Sequence, residues 1–144
     1  MSEKNLSSIS DSKWEVMRIV WTLGETNTKQ ILNELQAKKD WTDSTIKTLI
    51  RRLVQKGWLN AKQDGRRYIY TATVNQTDMM YNEAKNLLNR MCDMHKGEVI
   101  LKGLEDSPVS KGDLMKMKKE ISQKEKTAPE MVPCNCLKTG STIC

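Results

Sequence analysis

Residues 41–58 read WTDSTIKTLIRRLVQKGW, and this stretch decides the fold. At about 3.6 residues per turn it places Ile46, Leu49, Ile50, Leu53 and Val54 on one side. The other side carries Ser44, Thr48, Arg51 and Gln55, flanked by Thr45, Lys47 and Arg52. Thr42 is suited to cap the start, because its hydroxyl can accept from backbone N–H groups that lack a helical partner. Gly57 is suited to end it, since glycine tolerates the left-handed conformation that closes many helices. The spacing therefore predicts a helix with an apolar back and a front of short hydroxyls mixed with cations. Such a front can enter a DNA major groove, where Arg and Lys reach guanine and hydroxyls reach bases or phosphates. It can also be no more than a solvated face, and the flanking residues decide between the two.

Downstream, Leu59–Gln63 and Arg66–Thr71 read as two short strands, the second rich in β-formers. Asp64-Gly65 between them suits a type I′ hairpin turn. Upstream, Trp14, Met17, Val20 and Trp21 recur at helical spacing after Ser10, with Ser12 and Glu15 as an alternative capping box. Gly24 closes that helix, and Thr28 can cap a second one in which Ile31, Leu32 and Leu35 face inward. Three short helices, the last one basic, followed at once by a basic hairpin, make a winged helix-turn-helix. Lys62, Arg66 and Arg67 on the hairpin would lie near phosphates. The expected DNA-facing set is Thr42, Ser44, Thr45, Lys47, Thr48, Arg51, Arg52, Lys62, Arg66 and Arg67.

Charge supports that placement. The 144 residues carry a net charge of +6, and residues 42–67 alone hold seven cations against two acids. The positive field is local, as a polyanionic partner requires. With 38% apolar and 29% charged residues and no Phe, the chain reads as mainly α with a small β-hairpin. No apolar run approaches the ~20 residues needed to span a bilayer, and the N-terminus lacks a signal-peptide core, so a cytoplasmic location is expected.

Past the hairpin, Thr77 or Asn75 can begin a longer helix with Met80, Ala84, Leu87, Leu88 and Met91 on one face. A second apolar cluster follows at Val99, Ile100, Leu101 and Leu104. Ser110 can cap a last helix carrying Leu114, Met117 and Ile121. A segment this short rarely sustains its own core, so these helices are expected to pack against a second copy as a C-terminal dimerisation region. The resulting division is a winged-helix DNA-binding domain over 1–74, a helical dimerisation region over 75–122, and a flexible linker with a cysteine tail over 123–144.

The tail reads CNCLKTGSTIC and holds Cys134, Cys136 and Cys144. Thiolates are soft ligands that favour Cu(I), Zn(II) and related ions, and an irregular backbone lets both sulfurs of a C-x-C pair turn to one ion. Free thiols, a disulfide or a lipid anchor are the plainer readings. A prenylation box needs its cysteine fourth from the end, where Ser141 stands. Tetrahedral zinc wants a fourth ligand, from a partner tail, water or another side chain. Cys92 and His95 stand at i, i+3 and could chelate, although a packed cysteine with a solvent-facing histidine is the commoner arrangement. His95 is the only histidine, so no Ser/His or Cys/His catalytic set is proposed and no enzyme is expected.

The segments ISDSKWEVMRIVWTLG, ILNEL, WTDSTIKTLIRRLVQKGWL and GRRYIY resemble the BlaI/MecI family of winged-helix repressors over roughly residues 8–122. The cysteine tail resembles that of the CopY-type, copper-responsive members. The resemblance implies a homodimer on a palindrome of the TACAnnTGTA type upstream of copper-transport genes. It implies a zinc-loaded form that holds DNA and lets go when Cu(I), brought by a copper chaperone, displaces the zinc. Ser44, Thr45, Lys47, Thr48 and Arg51 correspond to the groove-facing part of the family's recognition helix. Cys134, Cys136 and Cys144 match three of the four cysteines of its C-x-C…C-x-C motif. The second pair is incomplete here. Relatives without such a tail control β-lactam resistance and are inactivated by proteolysis, which is the alternative within DNA binding. A copper-buffering protein without specific DNA binding is the alternative from another class.

Overall fold

The computed structural model describes residues 10–144. In order the elements are α1 (Asp11–Leu23), β1 (Glu25–Asn27), α2 (Thr28–Gln36), α3 (Asp43–Gln55), β2 (Leu59–Asp64), β3 (Arg67–Ala72), α4 (Gln76–Asn89), a 3-10 turn (Asp93–His95), α5 (Lys96–Asp106) and α6 (Lys111–Glu125). Residues up to Lys85 form one compact unit and Asn86–Cys144 a second.

In the first unit the apolar stripes meet in one core. Val16, Met17 and Val20 of α1, Ile31 and Leu35 of α2, and Ile46 and Leu53 of α3 are all fully buried, with Trp58 beneath them. The inward face expected of α3 is the observed one: Ile46, Leu49, Ile50 and Leu53 are buried and Val54 packs at the margin. The Trp58 ring nitrogen is buried without a hydrogen-bond partner among the described residues. Trp21, by contrast, donates its ring N–H to the Val74 carbonyl at 3.0 Å and thereby ties α1 to the segment after β3.

Caps define where each helix begins. The Thr42 hydroxyl accepts from the Thr45 N–H at 3.2 Å, as expected. Gly57, with φ of 81°, follows the last turn of α3 and redirects the chain into β2. Two starts differ from the sequence reading. Ser10 precedes α1 but its side chain makes no capping bond, and the Ser12–Glu15 box does not form because the helix already begins at Asp11. For α2 the cap is Asn27 and not Thr28. The Asn27 side chain accepts from the Gln30 N–H at 3.0 Å, and the Gln30 side-chain oxygen accepts from the Asn27 N–H at 3.3 Å. This reciprocal pair satisfies two free donors at once, which a lone Thr28 hydroxyl could not do. Replacing Thr42 with alanine should cost about 1 kcal/mol of stability, read as a lower urea midpoint at unchanged slope. Thr42→Asn, which keeps an accepting side chain, should restore most of the loss.

The sheet has three strands, not two, in the order β1-β3-β2 and antiparallel throughout. Strand β1 pairs Thr26 with Tyr70, and β2 pairs Asp64 with Arg67 at the hairpin tip. The two-residue turn is therefore Gly65-Arg66, one position later than expected. Gly65 has φ of 66° and Arg66 does not have positive φ, the pattern of a II′ turn and not I′. In this register Tyr70 stands opposite Ala61 and is buried.

In the second unit Cys134 is the one buried residue among those described. Asn75 caps α4 by accepting from the Asp78 N–H at 3.2 Å. Met79, which belongs to the first unit, is the inward residue of α4 and lies in that unit's core, while Met80, read as inward from the sequence, is 52% exposed. Ser110 caps α6 as expected, accepting from the Asp113 N–H at 3.1 Å. Helix α6 continues to Glu125, three residues into the segment read as linker. Val99, Ile100 and Leu101 on α5 and Leu114, Met117 and Ile121 on α6 are exposed.

Candidate nucleic-acid interface and metal centre

The front of α3 emerges into solvent. Ser44, Thr45, Lys47, Arg51 and Arg52 are exposed and Thr48 is half-buried. A groove opens between α3 and the sheet, lined by Lys47 and Arg51 from the helix, by Thr28 at the start of α2, and by Tyr68 and Tyr70 from β3. Next to it, Lys47 borders a second concavity with Lys29, Arg66, Arg67 and Tyr68. Helix and wing thus present Lys47, Arg51, Arg66 and Arg67 around one trough. At the tip Arg67 lies 3.7 Å from the Asp64 carboxylate, both side chains well exposed, a pairing worth little in water. Arg52 falls elsewhere: the pKa of Lys13 on α1 is lowered chiefly by desolvation, then by the nearby charges of Lys56 and Arg52. Lys62 is exposed on β2, opposite Ile69 of β3. The expected DNA-facing set did not include Tyr68, Thr28 or Lys29, because only the fold brings α2 and β3 to the trough.

The second centre is built from sulfur. Cys92, Cys134, Cys136 and Cys144 bring their sulfur atoms within 4.8 Å of one another. The tail makes this possible by folding back. Cys134 donates its N–H to the Ser141 carbonyl at 2.9 Å, and Gly140, with φ of 76°, turns the chain between them. The Cys136 N–H points at the Cys134 sulfur at 3.3 Å, and the Cys136 and Cys144 sulfurs are 3.4 Å apart. All four cysteines are free thiols. A tetrahedral ion with Zn–S bonds of about 2.3 Å needs sulfurs separated by about 3.8 Å, so the donor set fits such an ion with small adjustments.

Electrostatics within the cluster are uneven. Burial acts to raise the Cys92 thiol, but hydrogen bonds from Cys144, from the Met94 and Asn135 backbone and from Cys134 outweigh it and bring the pKa to about 6. Cys144, as the donor to Cys92 and then to Cys136, is pushed up. Cys136 is also raised, chiefly through Cys134. The thiols hydrogen-bond among themselves, and those that carry protons must lose them when an ion enters. His95 takes no place among the sulfurs. Its Nε2 lies 3.4 Å from the Cys144 carbonyl oxygen and its Nδ1 3.9 Å from the Glu98 carboxylate.

The sequence predicts that the tail cysteines gather and pairs Cys92 only with His95. Its place beside them is what sequence spacing missed. The available signal was arithmetic: three tail thiols leave a tetrahedral ion one ligand short, and one cysteine remains.

A winged helix with a cationic trough, joined to helices with exposed apolar faces, is the architecture of a DNA-binding regulator, and the four-thiol cluster is compatible with metal binding. The Penicillinase repressor family matches over residues 9–123, and the chain belongs to that family. It is 44% identical over 134 residues to a 16.5 kDa protein of the ptsI 3′ region in Latilactobacillus sakei, covering 93% of this chain and 92% of that one. It is 31% identical over 116 residues to the methicillin resistance regulatory protein MecI of Staphylococcus aureus N315, covering 81% and 94%. Among solved structures it is similar to the DNA-binding domain of the repressor BlaI, with 35% identity and a TM-score of 0.48 over 51% of this chain and 90% of that one. Among the described residues no helix is long and apolar enough to cross a membrane.

Proposed function

We propose that this chain represses transcription by gripping a palindromic operator of the TACAnnTGTA type as a homodimer, and that metal at its cysteines sets the grip. Membership in a repressor family supports the first half. The trough formed by Lys47, Arg51, Arg66 and Arg67 is where a duplex would lie, with α3 in the major groove and the wing along the backbone. The exposed apolar faces of α5 and α6 are suited to a second copy, and two-fold symmetry matches a palindrome. The observation that carries the metal half is the gathering of four sulfurs within 4.8 Å. Cys134, Cys136 and Cys144 bind Zn(II) in the gripping form, and Cu(I), the softer ion, displaces it to release DNA.

A gel shift on the palindrome tests this. Zinc-loaded protein should retard the duplex, Cu(I) should abolish the shift, and the abolition should disappear in Cys134→Ser/Cys136→Ser. Operator binding indifferent to Cu(I) in the intact chain would overturn metal control and leave a repressor of the MecI kind. Tight Cu(I) binding with no preference for the palindrome over scrambled DNA would instead identify a copper buffer.

A further inference from the structure

We infer that Cys92 completes a clip within one chain: it joins the three tail thiolates on a single tetrahedral soft divalent cation, locking the α5–α6 segment into a closed loop that Cu(I) opens at Cys92. This rests on the metal reading above and concerns what the ion does once bound.

Three observations on the chain itself lead there. First, all four sulfurs come from one polypeptide, so the ion needs no ligand from a second copy. Second, the tail is docked at Cys92 by contacts that do not involve metal. The Asn135 side-chain oxygen, from the residue between the two cysteines of the C-x-C pair, accepts the Asp93 N–H at 3.0 Å across 42 positions of sequence. Asp93 is the first residue of the 3-10 turn, so Asn135 supplies from a distance the cap that Cys92 does not provide. The His95 ring also lies 3.4 Å from the Cys144 carbonyl oxygen. Third, the Cys136 N–H directed at the Cys134 sulfur is the kind of contact that orients a ligating thiolate and tunes its basicity.

The consequence follows from chain connectivity. Between Cys92 and Cys134 lie α5 and α6, most of whose apolar residues, such as Ile100, Leu101 and Ile121, are exposed. A bond through the ion closes that long loop and removes the conformations in which its two ends separate. Cu(I) is satisfied by digonal or trigonal thiolate sets. The three tail thiols complete such a set without Cys92, so under Cu(I) only the Asn135 and His95 contacts hold the loop's ends together. Zn(II), wanting four donors, keeps Cys92. The difference between the ions is thereby converted into a closed or an open loop around the helices proposed to pair.

Alkylation mapped by mass spectrometry on the intact chain tests this without any substitution. With one equivalent of Zn(II), Cys92 should be protected from iodoacetamide together with the three tail thiols. Replacing Zn(II) with Cu(I) should restore Cys92 to its metal-free rate while the tail stays protected. Native mass spectrometry of the zinc form should show one ion per chain and X-ray absorption four sulfurs, falling to three in Cys92→Ser, with at least about tenfold weaker zinc affinity. Asn135→Ala, which removes the docking bond but no ligand, should keep the four-sulfur shell and weaken affinity by about tenfold. Cys92 reacting equally with and without zinc, or one ion per two chains, would overturn the clip. Cys92 staying protected under Cu(I) would overturn its opening. Failure of the intact chain to bind Zn(II) or Cu(I) would sink the metal reading itself, an outcome separate from those.

Discussion

Removing Lys47 and Arg51 together should nearly abolish operator recognition. The two residues stand one helical turn apart on the exposed front of α3 and line the same groove. A bidentate contact from either to a base edge is worth about 1–3 kcal/mol of discrimination. If the two act independently the double variant loses up to about 6 kcal/mol, and the shared groove makes some coupling expected. Since about 1.4 kcal/mol is a factor of ten, even the lower end is a large loss. The check is a titration of the palindrome beside scrambled DNA. Lys47→Ala/Arg51→Ala should erase most of the preference for the palindrome. Arg66→Ala and Arg67→Ala on the wing should weaken both duplexes alike, each lowering the salt slope by about 1. Retained preference in the double variant would show that α3 does not read the operator.

Leu53→Ala should be the most damaging single change to the fold. Leu53 is fully buried on α3, in the cluster that also holds Val16, Ile31 and Trp58. Truncating a buried leucine removes its transfer free energy and leaves a cavity, together about 2–5 kcal/mol. A domain of this size commonly has about 5–15 kcal/mol in all, so the variant should unfold at a markedly lower urea concentration. The surrounding elements limit collapse of the cavity, because α1, α2 and the Trp58 ring are each held by other buried partners. Thr73 adds to that rigidity: its hydroxyl donates to the Gly57 carbonyl and its N–H to the Trp58 carbonyl at 2.9 Å, tying the end of β3 to the exit of α3. Trp fluorescence from the buried Trp58 would report the transition. A loss below about 1 kcal/mol would mean that the site relaxes far more than its packing suggests.

Much of the architecture follows from short-range chemistry. The inward face of α3 is written in a period that repeats every turn, and its ends are set by the Thr42 hydroxyl and by Gly57. Ser110 likewise starts α6 through a bond three residues away. Where the outcome depended on competition between neighbours, local reading slipped. Asn27 displaced Thr28 because Gln30 could answer it, and the hairpin turn falls one residue later, with Gly65 taking its positive-φ position. Strand β1 has only three residues and no pattern of its own, and it exists because β3 offers it an edge.

The sequence by itself determined the helices, the wing, the cationic front at Lys47 and Arg51 and the thiol-rich tail, since each is specified by residues within a few positions of one another. Only the tertiary structure decided that Tyr68 and Thr28 share the trough with that front, that Met79 and not Met80 turns inward, and that Cys92 stands among the tail sulfurs. These depend on pairings across tens of residues. Spacing along a chain states which groups can share a helix face or a turn. Which distant groups meet depends on how whole elements pack, and a bond such as Asn135 to Asp93 comes into being only then.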